Sequence, residues 1–174
     1  MSNVELPAIV DPFKFTDQGV TLSGSVKASS LGRVAALLWD SGHTSGDVMV
    51  QLQFLKDDEY RRVISGQLQA TLELQCQRCL GPMAVDVQSA FELAVVLNDE
   101  QAALLPQRLD PVLVEGTELN VHAVVEEELL LSLPTYPLHE PGACSAEHSD
   151  SGEAASAQPE RENPFAVLAG WKKH

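Results

Sequence analysis

Gln67-Leu68-Gln69-Ala70-Thr71-Leu72-Glu73-Leu74-Gln75 runs into Cys76-Gln77-Arg78-Cys79-Leu80-Gly81-Pro82, and Met83-Ala84-Val85-Asp86-Val87 follows. Apolar and polar residues alternate on both sides of the CxxC turn, which is the period of a half-buried strand. Strand, turn and strand in close succession predict an antiparallel hairpin with two thiols at its tip. The same alternation runs upstream through Val48, Val50, Leu52 and Phe54 and downstream through Phe91, Leu93, Val95 and Leu97. Asp57-Asp58-Glu59 reads as a turn and Pro111 to Val114 as one more short strand. The fold class that follows is α+β, with a central antiparallel sheet free to curl towards a barrel and at least two packing helices.

Residues 1–18 read as an extended lead-in, because Leu6-Pro7 and Asp11-Pro12 disfavour helix before each proline. Ser30 is placed to cap a helix from Leu31 to about Trp39. Leu104 to Leu109 reads as a loop or short helical turn. Thr117 is placed to cap a longer helix from Glu118 to about Ser132, with apolar residues on nearly every side and the run Glu126-Glu127-Glu128 along it. Three segments result: an α+β domain over 1–138, an acidic disordered linker over 139–162, and a helical motif over 163–174. In the last, Asn163 and Pro164 start a helix and Phe165, Leu168 and Trp171 share one face.

The net charge is −14 over 174 residues, with only 11 Lys and Arg. Such a surface repels phosphates and attracts basic proteins, which argues against a DNA partner or a broad nucleic-acid groove. No apolar run approaches the ~20 residues of a membrane span, and the N-terminus does not read as a signal peptide. A cytoplasmic setting with reduced thiols is expected.

Three readings of Cys76 and Cys79 are open: half of a zinc site, a plain pair of reduced thiols, or a redox dithiol. The redox reading lacks the helix N-terminus that lowers a thiol pKa in thioredoxin-like sites, since Gly81-Pro82 and a strand follow. Arg78 is a candidate contact for a phosphate or an acidic partner, against a solvated turn residue. Glu126 and Glu128 are candidate contacts for a basic protein, against a solvated stripe. No nucleophile or base stands at a spacing that would make these carboxylates catalytic. Phe165, Leu168 and Trp171 are candidate docking residues, onto the chain's own domain or onto a partner. Lys172-Lys173, just beyond them, suit the helix C-terminus.

Four segments together resemble the large ribosomal RNA subunit accumulation protein family, YceD: Leu6-Pro7 to Asp11-Pro12, Cys76-Gln77-Arg78-Cys79, Glu126-Glu127-Glu128 to Leu133-Pro134, and Asn163-Pro164-Phe165-Ala166-Val167-Leu168. The resemblance implies a bacterial cytoplasmic factor for synthesis, processing or stability of large-subunit rRNA, with a large-subunit ribosomal precursor as partner and no enzymatic activity. Many family members carry a second CxxC after the helix. This chain has only His139, Cys144 and His148 there, so a full tetrahedral zinc site would combine Cys76, Cys79, Cys144 and His139. The alternatives outside that family are a thiol-redox protein and a zinc-stapled adaptor unconnected with ribosomes.

Overall fold

The computed structural model describes residues 4–39 and 46–144. Its centre is the predicted hairpin. Strand β4 (Arg62–Gln75) pairs antiparallel with β5 (Pro82–Val96) from Val63↔Ala94 to Gln75↔Pro82. With β2 (Thr21–Lys27), β3 (Asp47–Lys56) and β6 (Asp110–Leu113) they form a sheet of order β2-β3-β4-β5-β6. The sheet stays open, with β2 and β6 at its edges. A second, two-stranded sheet pairs β1 (Ile9–Val10) with β7 (Leu119–Asn120).

Alternation decides the core. Phe54, Ile64, Leu68, Leu72, Val87 and Leu93 point to one face, where they meet Val121, Val125 and Leu129 of helix α4 (Val121–Ser132). The other face is polar over most of its area. Only near β6 do Val63, Ala94 and Leu109 form a small second cluster with Leu55 and Leu105. Consecutive Val63 and Ile64 thus face opposite sides of one strand.

Gly66 stands opposite Phe91 in this register, and a Cβ built there would overlap the Phe91 ring. The aromatic ring fills the space a side chain would take. Gly66→Ala is therefore expected to lose roughly 1–3 kcal/mol by overpacking. A urea melt checks it, and an unchanged midpoint would mean that Phe91 can swing aside.

The structure corrects several expectations. Residues 12–18 are not extended: α1 (Pro12–Gln18) begins at Pro12, with the Asp11 carboxylate accepting from the Lys14 amide at 3.0 Å and Gly19 closing it at φ 65°. Asp-Pro is here a cap followed by a first-turn proline, whose missing N–H would have had no helical partner. The helix foreseen over 31–39 shrinks to α2 (Gly32–Ala35), because Ser30 instead donates to the Lys27 carbonyl and closes a 3-10 turn over Ala28–Ser30. Asn98 caps a helix α3 (Asp99–Ala103) just before the foreseen turn. The long helix starts at Val121, with Asn120 and not Thr117 as cap, because Leu119 and Asn120 are taken into pairing with β1. Finally, β6 pairs parallel to β5, which the return through residues 97–109 makes possible.

Among the described residues, no helix is long and apolar enough to cross a membrane.

Candidate metal centre at the hairpin tip

At the end of β4 the backbone turns tightly. The Cys76 amide donates to the Gly81 carbonyl at 2.9 Å, and the Leu80 amide to the Cys76 carbonyl at 2.9 Å. Leu80 takes φ 59°, a left-handed conformation rare outside glycine. This winding turns both thiols to one side of the tip.

The segment after α4 returns to the same place. The Gln77 amide donates to the Pro137 carbonyl at 2.9 Å, and the Arg78 guanidinium to the His139 carbonyl at 3.1 Å. Arg78, weighed above as a partner contact, here ties two parts of its own chain together. The result brings Cys76, Cys79, His139 and Cys144 together, with their ligand atoms all within 4.8 Å of one another.

Three of the contacts match the edges of a tetrahedral ion site, and the remaining ligand pairs lie within 4.8 Å. Cys76 Sγ and Cys144 Sγ lie 3.8 Å apart, and His139 Nδ1 stands 3.4 Å from Cys79 Sγ and 3.8 Å from Cys144 Sγ. Zinc–sulfur bonds of about 2.3 Å and zinc–nitrogen bonds of about 2.0 Å give tetrahedron edges of roughly 3.5–3.8 Å. His139 Nε2 lies 3.1 Å from the Pro82 carbonyl, which only accepts, so Nε2 carries the proton. That bond fixes the ring from behind and leaves Nδ1 as the nitrogen turned towards the thiols.

The electrostatics favour thiolate at Cys76. Burial opposes ionisation, but amides of Cys79, His139 and Arg78 turn towards its sulfur and bring the pKa down to about 5. Cys144 is also lowered, against burial, by Arg78, Cys79 and His139. Cys79 is raised, despite a Gly81 amide, because two other sulfurs crowd it. His139 is raised by the sulfurs of Cys144 and Cys76. Cys76 is fully buried, so its sulfur offers no open face to a substrate disulfide. A low thiol pKa in a closed cluster suits a metal ligand better than a redox nucleophile.

The acidic run on α4 is divided between two surroundings. Glu126 accepts from the Arg33 amide at 2.7 Å and from Arg33 Nε at 3.0 Å, and Glu127 takes another guanidinium nitrogen at 3.3 Å. Arg33 is 93 positions upstream of Glu126, and no sequence pattern links them. One turn before Glu126, the His122 ring bonds to the Leu6 carbonyl at 3.1 Å. Burial raises the Glu126 pKa, but the Arg33 bonds overcome this and leave it below the ordinary value. Its contribution to stability is present above the usual carboxylate range and is lost as pH falls through the lowered value. Glu126→Gln is thus expected to melt below the parent at pH 7, with the gap closing in acid, as paired thermal melts would record. Glu128 behaves oppositely, its pKa raised by burial and by the nearby charges of Asp110 and Glu127. Phe165, Leu168 and Trp171 lie outside the described residues, as does His148.

No solved structure matches this chain. The family described as large ribosomal RNA subunit accumulation protein YceD matches residues 64–172. The protein of that name from Haemophilus influenzae is 33% identical over 176 residues, covering 99% of each chain. The match thus takes in the hairpin tip, α4 and the C-terminal segment, and the chain belongs to the large ribosomal RNA subunit accumulation protein YceD family.

Proposed function

We propose that this chain is a non-enzymatic accessory factor in biogenesis of the large ribosomal subunit, acting in the cytoplasm to support synthesis, processing or stability of large-subunit rRNA. The observation that carries the reading is the end-to-end likeness to a relative named for that role. Charge suggests the means. A chain of net charge −14 engages basic ribosomal proteins or a processing factor more readily than bare RNA. Glu126 is already committed to Arg33, which takes it out of the acidic surface open to a partner.

The same reading assigns zinc to Cys76, Cys79, Cys144 and His139. Zinc there supplies a structural cross-link, joining the hairpin tip to the segment that follows α4. A closed set of four protein ligands keeps no position for a substrate, which accords with a binding role.

Co-sedimentation with large-subunit precursors tests the function. The full chain is expected to travel with the precursor, and a chain ending at residue 162 to travel less. Absence of the full chain from precursor fractions would overturn the reading. Tight binding to bare large-subunit RNA, with a steep salt dependence and no protein present, would overturn the protein-partner step.

A further inference from the structure

The two edges of the main sheet are treated differently. At β2 the chain's own start covers the edge: the Ser25 amide donates to the Val4 carbonyl at 2.9 Å, and the Leu6 amide to the Ser25 carbonyl at 3.2 Å. At β6 no described strand covers the outer edge. Between β6 and α4 lies a cleft of about 390 Å³, with Leu93, Val112, Ala123 and Val124 among its walls and Glu127 and Glu128 at its rim. Val112 pairs with Val95 on the α4 face of the sheet, whereas Leu113 pairs with Val96 and turns to the other face. This volume is in the range that takes up large apolar side chains or ligands.

Of the two rim carboxylates, Glu127 is paired with Arg33 and Glu128 is not. Glu128 faces Asp110 and Glu127, and no ion pair reaches Glu128 or Asp110 among the described residues. A fitting occupant is therefore apolar along its length and basic at one end. The chain contains one such segment outside the described residues. Phe165, Leu168 and Trp171 recur at helical spacing, and Lys172-Lys173 follow at once. Most other cations are spent: Arg33, Lys56, Arg61, Arg62 and Arg108 pair with carboxylates, and Arg78 with carbonyls.

Reach is sufficient. Cys144 sits at the hairpin tip, and the strand from Pro82 to Leu93 covers roughly 36 Å. Residues 145–163 span up to roughly 60 Å when extended. A second copy is a poor occupant, since two acidic surfaces would have to meet. A tethered segment has the advantage of an effective concentration near the millimolar range.

We propose that residues 164–173 dock in cis into the cleft between β6 and α4, with Phe165, Leu168 and Trp171 against Val112, Ala123 and Val124, and Lys172-Lys173 against Glu128 and Asp110. This docking is a property of the isolated chain and needs no ribosomal partner. It closes the open sheet edge, a position otherwise available to foreign strands.

Zero-length carbodiimide cross-linking of the full chain tests the proposal, in an equal mixture of ordinary and 15N-labelled protein. The expected result is a link from Lys172 or Lys173 to Asp110, Glu127 or Glu128 within single-isotope peptides, largely lost in Ala123→Arg, which puts bulk and a positive charge in the cleft. Ala123 is exposed on α4, so that variant is expected to keep its fold, with circular dichroism as the check. In a Trp39→Phe background, Trp171 emission is expected to be blue-shifted from that of the free peptide 163–174 and to return towards it in Ala123→Arg. Links joining the two isotopes would assign the cleft to a second copy and overturn the proposal. Links to carboxylates elsewhere, or Trp171 emission equal to that of the free peptide, would overturn it too. So would rim carboxylates that become protected only when large-subunit proteins are added.

Discussion

Replacing Cys76 with serine is expected to remove zinc from the protein, from about one equivalent to none, and to free the segment after α4 from the hairpin tip. Cys76 is the buried member of the four donors, and its sulfur is held as thiolate by amides of the turn. A serine hydroxyl does not ionise at neutral pH and is a poor zinc ligand. The domain has its own core, so the effect is a loss of stability and not of folding. At free zinc a hundredfold above the dissociation constant, binding contributes about 2.7 kcal/mol. For a chain of this length that corresponds to roughly 5–10 °C in melting temperature. Chelating zinc from the unaltered protein is expected to give a similar fall, which separates loss of metal from a buried hydroxyl. Cys144→Ser should behave likewise, and hydrogen exchange at the Gln77 amide should quicken as its bond to Pro137 opens. Elemental analysis that finds no zinc in the purified protein would sink the assignment.

Phe54→Ala is expected to be the most damaging single change in the core, with a loss of roughly 3–5 kcal/mol. The side chain is wholly buried and stands against Ile64 of the neighbouring strand. It also meets the Phe15 ring edge to face, at 5.4 Å between centroids. Truncation leaves a cavity and strands Phe15, so α1 loses its main anchor on the sheet. The melting temperature should fall by roughly 6–20 °C. A double-mutant cycle with Phe15→Ala should return a coupling of about 0.5–1.5 kcal/mol for the ring pair. A total loss below about 1 kcal/mol would mean that α1 and the sheet collapse into the gap.

Much of the sheet was legible because alternation is a local property. Val48 to Phe54 and Leu68 to Leu74 each announced a strand with one buried face, and CQRCLGP announced the turn between β4 and β5. Helix ends were legible only in part. Asp11-Pro12 carries the signal for a helix start, but the same dipeptide also disfavours helix before it, and local sequence does not rank the two. Thr117 and Asn120 were both acceptable caps, and pairing of Leu119-Asn120 with Ile9-Val10 chose between them. No window of local sequence contains that choice.

The candidate site divides in the same way. The thiol pair, its place on a hairpin, the acidic balance and the motifs that mark the family can all be read along the chain. Those depend on spacing within a few residues or on summed charge. The resemblance already named Cys144 and His139 as partners of Cys76 and Cys79, but their meeting in space, the claim of Arg33 on Glu126 and the cleft between β6 and α4 come from the packing of the whole chain. Each of these joins residues far apart in the chain, through packing of α4 on the sheet and return of the following segment to the hairpin tip. Such contacts follow from burying one continuous core, a condition on the whole chain at once.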